Sequence, residues 1–251
     1  AIRFDYRDSQ SEGFIAVAER FYYYNTDFNS LEPEDEDIRY LMGDYRRLWR
    51  AQQWAGVRTL YEHDYSDKDL RDRDDFKGWR LGAYLNGQFT DLAWLSDYHA
   101  ELIGMRGDLR TVGSFGQFDT GRIDGWAALL DAGKRFDEHP WRPRLGLTLA
   151  LTDKPDDDGR DGFYLNRVQS DRRTDPMSYS NRLVSNFVTV NLTNLQVVGV
   201  GVDTEPAPGT VVGLRVSDLR LRNSEGRLPV RVVNEPGIRN TDSRALGQVV
   251  D

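Results

Sequence analysis

The stretch Arg144-Leu145-Gly146-Leu147-Thr148-Leu149-Ala150-Leu151-Thr152 sets a leucine at every second position. Successive side chains of a strand point to opposite faces, so the four leucines share one face while Arg144, Gly146, Thr148, Ala150 and Thr152 share the other. A helix would scatter the same leucines around its circumference. Trp79 to Phe89 repeats the pattern, with Trp79, Leu81, Ala83, Leu85 and Phe89 opposed to Arg80, Gly82, Tyr84, Asn86 and Gln88. The chain reads as a series of long amphipathic strands, and its function depends on which solvent each face meets.

The totals permit a membrane answer. A hydrophobic fraction of 39% and a mean hydropathy of -0.65 over 251 residues resemble a soluble protein. A transmembrane barrel, however, gives only alternate residues to lipid and keeps long polar loops, so it needs no long apolar run. The net charge of -8 and pI near 5.0 argue against nucleic acid as a partner, since no basic stripe offsets the 41 acidic residues. The absence of cysteine removes disulfides, thiolate metal sites and a cysteine nucleophile together. No signal peptide opens the chain, so Ala1 either follows a removed one or begins a fragment, and a fragment is the expectation.

Further strands are expected at Gly13 to Tyr24, Asp37 to Arg50 and Gln53 to Tyr61, with Leu92 to Leu102 joined to Trp79–Phe89 by a tight Thr90-Asp91 turn. Arg122 to Phe136 fits helix or strand and is taken as strand from its context. Asn181 to Val202 is long enough for two strands, and Thr210 to Arg222 makes another. Tyr22, Tyr23 and Tyr24 with Phe21 suit a membrane interface or an ordinary core rim. Polar loops are expected near 25–37, 64–75 and 153–178, within a single domain. Short gaps alternate with long ones, as between the two ends of an outer-membrane barrel.

Motifs for catalysis are sparse. His63, His99 and His139 have no ligand spacing, so no metal or other cofactor is expected. No nucleophile elbow or phosphate loop occurs. Asp97 and Glu101 form the best local carboxylate pair for glycoside hydrolysis, yet carboxylates lining a wet face opposite arginines explain them more simply. Asp153 to Asp161 could bind calcium, but its carboxylates lack the regular spacing of a calcium loop and read as a solvated loop. The arginines say more. Arg80, Arg144 and Arg215 lie on polar faces, with Arg58 and Arg182 as additions, and several cations facing one lumen would attract an anionic solute.

Glu19-Arg20-Phe21, Asn25-Thr26-Asp27, Pro33-Glu34-Asp35, Phe163, Ser170-Asp171-Arg172, Asn181-Arg182, Leu192-Thr193-Asn194-Leu195 and Leu246-Gly247-Gln248 with Asp251 follow one another in the order of a known pattern. The sequence resembles the alginate-export family of Gram-negative outer-membrane proteins. That resemblance implies an antiparallel transmembrane β-barrel passing an anionic polysaccharide such as alginate, with outer-membrane lipid around it and periplasmic secretion subunits as partners. It also implies that Asp27 and Arg172 line or gate the pore, with Arg182 nearby. The chain departs from the family's usual residues at Leu165 to Val168, Asn191, Val249 and Val250. At about 20 residues per strand and connection, roughly 11 to 12 strands are expected, fewer than the family's barrel, so the resemblance implies an incomplete chain of a larger barrel.

The expected function is thus non-catalytic transport, with Asp27, Arg80, Arg144, Arg172, Arg182 and Arg215 contacting the solute. Two alternatives stand beside it. One is a general anion-preferring porin. The other is a soluble β-sandwich, carbohydrate-binding or glycosidic, whose leucine faces would pack against each other.

Overall fold

A computed structural model of the chain describes residues 1–24, 34–64, 74–90, 92–112, 118–155, 162–163, 192–224 and 244–250. Eleven strands follow in chain order: β1 (Ile2–Arg7), β2 (Ser11–Tyr24), β3 (Glu34–Arg50), β4 (Gln53–Asp64), β5 (Asp74–Gln88), β6 (Asp97–Val112), β7 (Phe118–Arg135), β8 (Arg144–Thr152), β9 (Leu195–Ala207), β10 (Thr210–Leu221) and β11 (Ala245–Val250). Each pairs antiparallel with the next in one eleven-stranded sheet, and β1 and β11 form its two edges. No helix occurs among the described residues. The architecture is all-β, and such a meander is the wall of an outer-membrane-type barrel, here open between its edge strands.

Connections 8–10, 51–52, 89–96, 136–143 and 208–209 lie at one end of the sheet. Connections 25–33, 65–73, 113–117, 153–194 and 222–244 lie at the other. One expected turn is corrected. Leu92 and Trp94 do not extend the strand, because the register pairs Gln88 with Asp97 and leaves an 89–96 connection. Phe89 N donates to Ser96 O at 2.8 Å to close it. The edge strand β1, short and exposed throughout, goes beyond the sequence expectation.

The two faces of the sheet differ as the alternation requires. Leu81 (60% exposed), Leu102, Val57, Val17, Leu145, Val200 and Leu214 stand on the convex face with no second layer of described residues over them. A soluble sheet would bury such a face, since water-facing apolar patches of this extent are uncommon. Exposed Trp79 and Trp126 mark this face toward the longer connections and exposed Tyr45 and Trp49 toward the short turns, where Trp94 and Trp141 are exposed in the connections themselves. Two aromatic levels flanking an apolar band are what a bilayer selects.

The concave face is packed in one half only. Ile38, Leu60, Phe76, Ile103, Met105, Leu109, Ile123, Leu129, Val197 and Leu219 form its core toward the longer connections. Phe163 and Leu192, at the two feet of connection 153–194, enter the same core. Asp153 Oδ1 accepts from Phe163 N at 2.8 Å, Thr193 Oγ1 donates to Phe163 O at 2.7 Å, and Asn223 N donates to Asn194 Oδ1 at 2.7 Å. These bonds satisfy buried polar groups that would otherwise oppose packing there.

Candidate functional site

Toward the short turns the concave face becomes polar, and register explains how. Trp54, Asn86, His99, Asp131, Thr148, Gly199 and Ser217 face one another in turn across β4 to β10. The next row outward is Gln88, Asp97, Gly133, Gly146, Gly201 and Arg215. Members of both rows line a cavity of about 570 Å³, among them Trp54, Asn86, His99, Asp131, Asp97 and Arg215.

The glycines of the second row make a floor for one side chain. Arg144 reaches back over Gly146 and Gly133, where a Cβ on Gly133 would stand 2.5 Å from its Nη2. Its Nη2 donates to Asp97 Oδ1 at 2.6 Å and to Asp131 Oδ1 at 2.7 Å, and its Nε donates to Asp97 Oδ1 at 3.0 Å. Asp203 Oδ2 lies 3.9 Å from Nη1, and Thr148 Oγ1 donates to Asp131 Oδ2 at 2.9 Å. Planar guanidinium geometry suits this clustering, since one arginine can serve several carboxylates at once.

A second arginine organises the strands beside it. Arg58 Nε stands 3.3 Å from Glu101 Oε1 and 3.5 Å from Asp44 Oδ2, and its Cζ lies 4.4 Å above the Tyr84 ring. Tyr84 donates to Asp44 Oδ1 at 2.9 Å, while His99 Nε2 lies 3.4 Å from Glu101 Oε2. On β2 and β3, Arg46 Nε donates to Glu12 Oε1 at 2.6 Å. Charges of both signs therefore alternate along this end of the concave face, with Arg46, Arg58 and Arg144 each facing one or more carboxylates.

The residues expected to contact a solute fall into different environments. Arg215 lines the cavity, and Arg144, with 12% of its side chain exposed, is bonded to two of the lining residues, Asp97 and Asp131. Arg80 is 0% exposed, deep in the packed half, where its Nη1 donates to Glu62 Oε2 at 2.9 Å and its Cζ lies 4.3 Å over the Phe76 ring. Asp27, Arg172 and Arg182 lie outside the described residues, as do residues 156–161 of the candidate calcium stretch Asp153 to Asp161, whose first carboxylate, Asp153, accepts from Phe163 N. Asp97 and Glu101 do share the wet face, but each is engaged by an arginine, the arrangement that best explained them from sequence. Asp131, Asp44 and Tyr84 escaped the sequence reading. Asp131 shares parity with Leu129 and Ala127, a signal that the helix-or-strand ambiguity of β7 obscured.

Comparison with known proteins places this geometry. Residues 8–251 match the alginate export family. The chain is also similar to the alginate production protein AlgE of Pseudomonas syringae pv. tomato, with 27% identity over 154 residues. That match covers 61% of this chain and 27% of the relative, so the chain spans about a quarter of that relative's length. An amphipathic antiparallel meander matched to the family over almost all of its residues leaves one assignment: the chain belongs to the alginate export family.

Proposed function

We propose that this chain forms part of the wall of an outer-membrane conduit through which alginate, or oligomers of it, leaves the cell, with no catalytic step. The observation that carries the reading is the sidedness of one sheet: exposed leucines and valines outside, a polar cavity inside. Family membership and the similarity to an alginate production protein supply the solute. Asp27, Arg172 and Arg182 belong to the proposed pore lining on the family resemblance.

The lining suggests how a polyanion would move. A uronate carboxylate entering the cavity meets Arg215 directly and competes with the lining carboxylates Asp97 and Asp131 for Arg144. Lining carboxylates compete for each cation, so every site holds the solute weakly, and passage needs several weak sites more than one strong one. Arg80 contributes to the wall's stability instead, being enclosed with Glu62.

The test is conductance of the full-length protein in a planar bilayer. Oligouronates added on the short-turn side should interrupt the current, with interruptions lengthening as the oligomer grows, while neutral dextrans of the same size should not. Current that oligouronates leave unchanged contradicts alginate passage, and interruption independent of chain length identifies a general anion porin.

A further inference from the structure

The convex face changes character one row beyond its aromatics, toward the longer connections. Leu41, Tyr61, Trp79, Arg106 and Asp124 stand opposite one another across β3 to β7, and the Tyr61 and Trp79 rings lie 4.8 Å apart. The next row outward reads Glu19, Arg39, His63, Lys77, Asp108 and Arg122. Arg39 and Lys77 therefore flank His63 across the strands. Glu19 bonds Arg39 at 2.5 Å. Asp108 stands in register between Lys77 and Arg122, and Asp124 opposite Arg106. Lys77, Arg106 and Arg122 are all exposed.

We propose that Lys77, Arg106 and Arg122 form a docking site for the phosphate groups of a phosphorylated glycolipid in the leaflet at the long-connection end. This rests on the membrane reading given above. The aromatic row fixes the height: indole and phenol rings settle where acyl chains meet headgroups, so Arg106 within that row lies at the headgroup boundary and Lys77 and Arg122, one row outward, lie at headgroup level. Clustered Lys and Arg there attract anionic headgroups, each by about fivefold in affinity. Asp108 and Asp124 hold the three cations apart from one another without matching their number, so the patch retains positive charge for a phosphate.

The full-length protein, purified in detergent, is mixed with bisphosphorylated lipid A, with its dephosphorylated form or with phosphatidylcholine, and retained lipid is counted by native mass spectrometry. Lipid A should be retained in preference to its dephosphorylated form. The variant K77Q/R106Q/R122Q should lose about 100-fold in affinity, three steps of roughly fivefold, and Asp108→Asn should gain. Equal retention of both glycolipids, or an unchanged triple variant, overturns the proposal. So does displacement of lipid A by millimolar inorganic phosphate, which would mark a free-anion site. Flotation of the same protein with neutral phosphatidylcholine vesicles separates the two readings: failure to float removes the membrane assignment, whereas flotation without discrimination removes this site alone.

Discussion

Replacing Arg80 probes how the packed half of the concave face is built. Arg80 and Glu62 are both 0% exposed and meet at 2.9 Å, with Phe76 stacked under the guanidinium. Taking two charges out of water is costly, and their mutual attraction roughly offsets that cost when both are present. Removing only the cation leaves the Glu62 carboxylate buried without this counter-charge, at about 3–5 kcal/mol. Arg80→Met should therefore lower stability by about that amount, while Arg80→Met with Glu62→Leu should recover most of it. Urea unfolding in lipid vesicles, followed by tryptophan fluorescence, reads the difference as a midpoint shift at constant slope. The double variant should also keep wild-type ion selectivity, since both side chains are fully enclosed. A single-variant loss below about 1 kcal/mol, or a double variant as unstable as the single, would refute the reasoning.

Three other perturbations separate parts of the wall. Gly125→Ala would place a Cβ 2.5 Å from the Gly162 carbonyl carbon, so it should cost about 1–3 kcal/mol, whereas Gly104→Ala meets nothing within 4 Å and should stay within about 0.5; paired urea titrations read both. Arg144→Ala leaves Asp97, Asp131 and Asp203 around an empty glycine floor, so reversal potentials across a salt gradient should move toward cation preference. In the 8–10 turn, the Tyr6 hydroxyl, then the Gln10 and Ser11 amides, hold the Asp8 carboxyl below its ordinary range. A carboxyl with a lowered folded pKa stabilises the fold above its unfolded pKa and loses that contribution as pH falls through the folded value. Asp8→Asn should therefore flatten the acid side of the stability profile.

Alternation made the strands legible and told which face each residue occupies. It did so for β5 and β8, whose leucines are on the convex face and whose arginines are on the concave one. Alternation says nothing about position along the strand. Arg80 and Arg144 both point inward, yet one sits among Phe76, Leu60 and Met105 while the other is bonded to residues lining a cavity, and only cross-strand register distinguishes those depths. The same limit hid the partners: Glu62 and Asp131 acquire meaning once β4 faces β5 and β7 faces β8. The 89–96 connection was misjudged because Leu92 and Trp94 continue the apolar spacing in a segment whose backbone closes on Ser96 instead of pairing. Glycine floors are likewise invisible in sequence, since a glycine opposite a long side chain looks like any other.

These 251 residues contain no cysteine, so with any cysteine elsewhere in the full-length protein replaced by serine, single labels give the most direct test. Single cysteines at Leu81, Leu147, Val200, Asn86 and Arg215, spin-labelled in the full-length protein in bilayers, report collision with oxygen, which concentrates in lipid, and with a water-soluble nickel chelate. Labels at Leu81, Leu147 and Val200 should favour oxygen, and labels at the cavity-lining positions Asn86 and Arg215 should favour nickel. Nickel preference at all five positions, or oxygen preference at the inward pair, would contradict a sheet with lipid on its leucine side and water on its arginine side.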